Sequence, residues 1–341
     1  MIARPAVFSI VPLALLLLPF AAVGQEAVPK EVSEEQVLAA PPPDRPQGWQ
    51  LKLSLGSTGS YGHSSNVVGS IDGSTVQLGL MVNGTAELVA GQHSWDNALK
   101  INEAQSRTPQ LKSFVKSADE LALQSTYLYH IPDIYWLGPF VRVAMTTVVF
   151  TSYDVRPTDV TTIRTFRDGT TKTKDIPAGD HIQLAKPFEP LLLKEFAGAF
   201  ANPYTDKVAN VKTKLGVGMQ HIMAGDGFGL ADDKATPELE LKQYENSTQG
   251  GGEAEVAVTG ELAENLTWGA KGNVFYPFYT SVKTDLKGLH LMSVDLSGKL
   301  SVRLAKWASL DYIVSAKRIP LILDAWQVQN TVLFTAGFDI I

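Results

Sequence analysis

The stretch WQVQNTVLFTAGFDII, residues 326 to 341, alternates apolar and polar side chains. Its apolar face carries Trp326, Val328, Val332, Phe334, Ala336, Phe338 and Ile340, and its polar face carries Gln327, Gln329, Thr331, Thr335 and Asp339. Only Asn330 and Leu333 break the alternation. A period of two is that of a β-strand, and an alternation of this length is typical of a strand that crosses a membrane. We therefore expect this segment to close a membrane β-barrel.

Similar alternation recurs along the chain, most clearly in residues 292 to 304. The other segments, of varying quality, are 49–55, 76–88, 95–102, 121–131, 140–149, 181–193, 211–219, 253–262, 266–278 and 307–317, of which 181–193 is the least defined. The fold class that we predict is all-β, an antiparallel transmembrane β-barrel of about 12 strands, with 10 and 14 left open. A soluble β-sandwich also alternates, but its strands are shorter, and aromatic residues here lie near segment ends, as in the interfacial girdles of barrels.

The connections between these segments differ in length. Those after the second and eighth segments are short, whereas 58–73, 152–180 and 224–250 are long. Membrane barrels have short periplasmic turns and longer extracellular loops. Residues 161–166 and 170–174 around Arg167-Asp168-Gly169 predict an exposed hairpin. Asp226, Asp232 and Asp233 do not have the spacing of a calcium-binding EF-hand, so we expect solvated carboxylates there.

The N-terminal region is typical of an exported protein. Residues 1–24 combine Arg4, an apolar run and small residues before Gln25, which predicts a cleaved signal peptide. Residues 25–47 are rich in Glu and Pro and predict a flexible periplasmic tail, either a tether or a spacer. Residues 48–341 would form the barrel, in the outer membrane of a Gram-negative bacterium after export through the periplasm.

Composition excludes several function classes. The formal net charge is −6, which disfavours a nucleic-acid partner. There is no Cys, and the six His residues show no metal-ligand spacing, so neither a metal site nor a cofactor is predicted. The longest apolar runs after the leader are interrupted by polar residues, which disfavours transmembrane helices.

The polar faces of the predicted strands would line the barrel lumen. The charged residues that we expect there are Lys52, Glu87, Lys271, Asp295, Lys299, Arg303, Asp311 and Lys317, accompanied by Lys100, Lys212, Lys214, Glu253, Glu255 and Glu261. Buried charges must be paired or hydrated, so the lumen either holds water or is closed by ion pairs. We expect a narrow channel for ions or small solutes, or alternatively a non-conducting structural or anchoring barrel. Its partners would be outer-membrane lipid, lipopolysaccharide, the barrel-assembly machinery and small solutes.

An outer-membrane lipid hydrolase is a weaker alternative. His63, Ser64 and Ser65 in the first long connection, together with His221, supply suitable residue types. No GxSxG motif or other triad signature accompanies them. We therefore expect no enzyme activity and no catalytic residue.

Two stretches resemble a known family. They are residues 78–101, with Val82-Asn83-Gly84 and Ser94-Trp95-Asp96-Asn97, and residues 116–121, which lead into Tyr127-Leu128-Tyr129. They resemble an uncharacterised family of outer-membrane β-barrels of Bacteroidetes-type bacteria, known as a domain of unknown function, and more distantly the salt-induced outer-membrane barrels. The resemblance extends over most of residues 48–280 and implies a fold and a membrane, without an activity. The chain departs from many barrels in ending on Ile340-Ile341 instead of Phe.

Overall fold

The computed structural model describes residues 46–64, 73–111, 113–231, 236–284, 286–320 and 323–339. The predicted signal peptide and all but the last two residues of the predicted tail lie outside these ranges. Among the described residues, twelve antiparallel strands form a closed barrel. They are β1 (Gly48–Ser64), β2 (Gly73–Ala90), β3 (His93–Arg107), β4 (Val115–Tyr129), β5 (Leu137–Thr147), β10 (Leu191–Thr205), β11 (Asn210–Met223), β14 (Ser247–Ala263), β15 (Leu266–Thr280), β16 (Ser293–Ala305), β17 (Ala308–Ile319) and β18 (Leu323–Asp339).

The barrel closes where its first and last strands pair. Ser54 lies opposite Asp339 and Gly59 opposite Phe334, so β1 and β18 are antiparallel neighbours. The C-terminal alternating segment, which forms β18, therefore closes the barrel, as predicted. Closure gives every strand two hydrogen-bonded neighbours and leaves no open sheet edge.

The outer face of the barrel is apolar and exposed. Leu80 on β2 is 68% exposed, Leu215 on β11 is 69% exposed and Val328 on β18 is 65% exposed. Charged side chains at alternate positions are instead buried, including Arg142, Glu253 and others described below. An apolar exterior around a charged interior is the arrangement of a transmembrane β-barrel. No helix among the described residues is long and apolar enough to cross a membrane.

Six further strands lie in the two longest connections. They are β6 (Ser152–Val155), β7 (Val160–Thr165), β8 (Thr171–Ile176), β9 (His181–Ala185), β12 (Phe228–Leu230) and β13 (Leu239–Gln243). We call them the cap. The pairing of β7 with β8 confirms the predicted hairpin. The cap has its own core of Ile176, Ile182, Leu184, Phe228, Leu239 and Leu241, so these connections form a folded unit at the long-loop end of the barrel.

The expected strand at 181–193 is wrong. Residues His181–Ala185 form β9, which pairs with β6 in the cap, and the barrel strand is β10, whose neighbours are β5 and β11. On β10 most inward positions are apolar, with Phe196 and Phe200 each 2% exposed, and the outward positions are apolar except for Glu195. Both faces of the strand are therefore mostly apolar, and the missing alternation concealed it in the sequence.

Candidate functional site

Five charged side chains meet on the inward face of the barrel. Arg142 on β5 bonds Glu253 through Nη2 and Glu255 through Nη1, the latter at 3.1 Å. Glu255 also accepts ion pairs from Lys214 at 3.5 Å and Lys271 at 3.1 Å. We call these five residues the ion-pair cluster. Arg142 is 2% exposed and Glu255 is 3% exposed, so the cluster is shielded from bulk water.

Glycines lie in the wall between β5 and β14. In the ring of strands, β10 and β11 separate β5 from β14, and Gly216 on β11 lies opposite both Gly198 and Glu253. A Cβ on Gly198 would come within 2.1 Å of the Leu215 carbonyl oxygen. Because glycine has no side chain, the backbones approach closely there, and a Cβ on Gly216 would come within 3.3 Å of the Phe140 ring.

Other charges act across the barrel. The Lys317 ammonium on β17 interacts with Asp295, at 3.8 Å, and with Glu120 on β4. Between β17 and β4 lie four strands on the shorter path around the ring, so these groups come from nearly opposite walls. Glu120 is also paired with Lys100 at 2.8 Å. Lys194 on β10 lies within the electrostatic field of Glu253, Lys317, Asp295 and Lys271. The interior therefore holds a belt of mutually compensating charges.

An aromatic cluster fills one side of the interior. Its members are Leu128, Phe140, Phe196, Phe200 and Phe275, all of them at most 4% exposed. The rings of Phe196 and Phe275 pack edge to face at a centroid distance of 5.7 Å, and the Arg142 guanidinium lies 5.4 Å from the Phe196 ring centre. Together with the ion-pair cluster, these rings occupy the inward space along β5, β10, β11 and β14.

The interior beside β16 is more open, although Asp311 on the adjacent β17 is buried. Asp311 on β17 accepts hydrogen bonds from the hydroxyl groups of Ser301 and Ser309, the latter at 3.1 Å. Lys299 lies opposite Gly269 and Ile313 and is partly exposed. Ser297 is exposed although it belongs to the same inward register as Lys271. Solvent can therefore reach this side from within the barrel.

The eight residues that we expected in the lumen are placed as follows. Lys271 belongs to the ion-pair cluster, Asp295 and Lys317 pair with each other, and Asp311 binds two hydroxyl groups. The other four occupy cross-strand positions: Lys52 lies opposite Thr85, Glu87 opposite Gln50 and Asp96, Lys299 opposite Gly269 and Ile313, and Arg303 opposite Ser309.

Three charged groups of the interior were not identified from the sequence. Arg142 pairs with Glu253 and Glu255 on β14, Glu120 pairs with Lys100 on the neighbouring β3, and Lys194 lies on the inward face of β10. Arg142 and Lys194 lie in apolar stretches of the sequence. Only the β-strand alternation could have shown that Arg142 shares a face with Thr146, and Lys194 with Phe196. For Lys194 that signal was lost because the strand itself was misplaced.

The structure does not assemble the hydrolase candidates. His63 and Ser64 belong to β1, and His221 belongs to β11, which stands six places away in the ring of twelve. The Nδ1 atom of His221 lies 3.0 Å from the Thr248 hydroxyl group. Ser65, Asp232 and Asp233 lie outside the described residues. In the described part of the chain, no three His, Asp or Glu residues are grouped to hold a metal ion.

Polar contacts join the cap to the barrel. Other polar contacts join the two connections that form the cap, the one between β5 and β10 and the one between β11 and β14. Asp119 on β4 accepts hydrogen bonds from the backbone N–H groups of Val149 and Phe150 at 2.7 and 2.8 Å. Arg167 in the β7–β8 turn donates to the carbonyl oxygens of Gly225 and Tyr244, the latter at 2.6 Å.

An ion pair adds a second link between the cap connections. The Lys186 ammonium lies 2.7 Å from the Asp226 carboxylate, and this hydrogen bond lowers the pKa of Asp226 and raises that of Lys186. Both groups are exposed, so the ion pair is screened by solvent.

No family model matches the sequence, and no curated protein matches it. The chain is similar to the translocator domain of autotransporter NalP from Neisseria meningitidis, with 8% identity, a TM-score of 0.39, and 86% of this chain and 89% of that chain covered. It is also similar to an outer membrane channel from Pseudomonas putida F1, with 7% identity, a TM-score of 0.41, and 91% of this chain and 100% of that chain covered. A third similar structure is OmpT, an outer membrane protein of Vibrio cholerae, with 9% identity, a TM-score of 0.32, and 87% of this chain and 99% of that chain covered. The barrel assignment rests on this chain's own strand register, and the resemblance to an uncharacterised family stays a prediction.

Proposed function

We propose that this chain is an outer-membrane β-barrel of a Gram-negative bacterium that conducts ions and small polar solutes through one side of its lumen. The observation that carries the proposal is the asymmetry of the interior. The aromatic and ion-pair clusters fill the side at β5, β10, β11 and β14, whereas Ser297 and Lys299 on β16 keep exposed surface inside the closed barrel.

The width of the barrel supports a narrow path. Twelve strands enclose less space than the 16 to 18 strands of general porins. The packed side chains narrow that space further, because Phe196, Phe275 and Arg142 are almost fully buried. A passage beside them suits hydrated ions and small polar solutes, and excludes large ones.

The membrane assignment follows from the outer face. Exposed Leu, Val and aromatic side chains cover it, and burying such a surface in lipid removes it from water. The partners that we propose are therefore outer-membrane lipid with lipopolysaccharide, and the barrel-assembly machinery that inserts such chains.

A non-conducting barrel is the second candidate, because one observation favours it. Charges from nearly opposite walls, Lys317 and Glu120, interact across the interior. If every inward charge is paired in this way, the paired side chains would close the lumen. The function would then lie in the cap.

Liposome swelling separates the two candidates. The chain without residues 1–24 is refolded into vesicles, which are then diluted into solutes of graded size. A conducting lumen gives swelling with small amino acids and none with a trisaccharide. A folded barrel that gives no swelling with any solute would overturn the channel proposal and leave the structural barrel.

A further inference from the structure

A small cavity opens on the inward face between β4, β5 and β10. Its polar lining consists of Gln124, Arg142, Thr146 and Lys194, and its remaining lining is apolar. It has room for about one water molecule or an ion of similar size. Arg142 is 2% exposed, Thr146 is 4% exposed and Gln124 is 9% exposed, so the lining is held within the packed wall.

The lining is electropositive. It combines a guanidinium, an ammonium, a hydroxyl and an amide, and none of the described side chains that form it is a carboxylate. The carboxylates that compensate Arg142 are Glu253 and Glu255, which reach it from β14 and do not border the cavity. Positive charge and hydrogen-bond donors facing one small space are the recognition elements of an anion.

Strand register explains why these groups face one another. Lys194 lies directly opposite Ala144, which lies opposite Gln124 on its other side. The short Ala144 side chain leaves the space that its longer neighbours border. Arg142 and Thr146 flank Ala144 on the same face of β5, because residues two apart on a strand point the same way.

We propose that this cavity binds a small monatomic anion, such as chloride, between Arg142 and Lys194. The site goes beyond the proposed function, because it lies in the packed wall between β4, β5 and β10 and not beside β16, where the passage is proposed. Binding itself does not require an open passage, so it is tested separately from conduction.

The binding test uses thermal unfolding of the barrel refolded in detergent. Sodium chloride and sodium gluconate are compared at equal ionic strength, so that general screening is constant. An anion that binds only the folded state raises the unfolding midpoint. We expect chloride to raise it by about 2 °C or more relative to gluconate, which is too large for the cavity.

Three variants locate the effect. Lys194→Met removes the charge but keeps a long side chain, and we expect it to abolish the difference between chloride and gluconate. Lys242→Met makes the same change on β13 in the cap, where Lys242 is exposed, and the difference should persist. Lys194→Arg retains the cation and should retain most of the effect. Equal midpoints in chloride and gluconate for the unmodified chain, or an unchanged difference in Lys194→Met, would overturn the site.

Reversal potentials in a potassium chloride gradient give the second readout. We expect the permeability ratio of chloride to potassium to be the same in the unmodified chain and in Lys194→Met, because the site lies away from the passage. A conducting barrel whose unfolding no anion affects refutes the anion site and leaves the channel intact. A silent barrel that chloride still stabilises refutes the channel and keeps the anion site.

Discussion

Arg142 compensates two carboxylates at once, and this makes it the residue on which the interior most depends. Glu253 and Glu255 are 4% and 3% exposed, so neither can recover hydration when its partner is lost. We expect Arg142→Met to lower the free energy of unfolding by roughly 3–5 kcal/mol, because it leaves the buried Glu253 carboxylate without the guanidinium that pairs with it. Urea unfolding in lipid vesicles, followed by tryptophan fluorescence, measures the change.

A matched variant separates this effect from the loss of any cation. Lys207 forms an exposed ion pair with Glu261 at 3.4 Å, and such surface pairs contribute about 0–1 kcal/mol. Lys207→Met should therefore change the unfolding free energy little. Similar losses in Arg142→Met and Lys207→Met would show that the ion-pair cluster does not stabilise the barrel.

Glycine at position 218 is required by a close backbone approach. A Cβ there would come within 1.9 Å of the Glu195 carbonyl oxygen and 2.7 Å of the Phe196 ring. A Cβ at Gly250 would meet only Tyr279 carbon atoms at 3.7 and 3.8 Å, which is ordinary contact. We expect Gly218→Ala to cost about 2 kcal/mol or more and Gly250→Ala to cost much less. The yield of heat-modifiable folded protein on gels compares them, and equal yields would contradict the close approach.

At the scale of elements, β10 exposes an unusual residue on the outer face. Glu195 is exposed and lies opposite Val143 and Met219, which are 43% and 40% exposed. A carboxylate on a lipid-facing surface is unfavourable. We expect Glu195→Leu to raise the free energy of unfolding in lipid vesicles by about 1 kcal/mol.

The control for Glu195→Leu is Glu245→Leu, at an exposed position in the connection before β14. This variant lies outside the barrel strands and should leave the unfolding free energy unchanged. If Glu195→Leu destabilised the barrel instead, Glu195 would be facing a polar partner and not lipid.

Arg167 joins the β7–β8 turn to Gly225 and Tyr244 in the other long connection, in addition to the pairing of β7 with β13 and the shared apolar core. We expect Arg167→Leu to speed proteolytic cleavage in the cap several-fold while the barrel strands stay protected, because the loss of these hydrogen bonds favours local opening. Limited proteolysis with mass spectrometry locates the cuts. Arg156→Leu, which removes only the pair with Asp154, is the comparison, and equal cleavage in both variants would remove the special role of Arg167.

Strands with polar inward faces could be predicted from the sequence, and strands with apolar inward faces could not. The alternation in 292–304 and 326–341 located β16 and β18 because lipid and water require opposite side chains on their two faces. β10 packs Phe196 and Phe200 inside, and Glu195 and Ala197 outside, so the same rule misplaced it. The cap also escaped prediction apart from the β7–β8 hairpin, since its core forms between connections far apart in sequence.

At the scale of the whole molecule, the number of strands followed from counting alternating segments, and the contents of the lumen did not. Individual charges such as Asp311 and Lys271 could be assigned to a polar face. Their partners could not, because Arg142 reaches Glu253 across two intervening strands and Lys317 interacts with Glu120 from a nearly opposite wall. Such contacts depend on barrel closure, which a local pattern does not encode.

The most direct test of the account is single-channel recording of the chain without residues 1–24, refolded and inserted into a planar bilayer. A solvated path beside Ser297 and Lys299 predicts steady current steps, and it predicts that Lys299→Glu shifts the reversal potential in a salt gradient toward cation preference. Lys242→Glu in the cap, farther from that path, should shift it much less. A barrel that is folded by its heat-dependent gel mobility and yet passes no current would contradict the account.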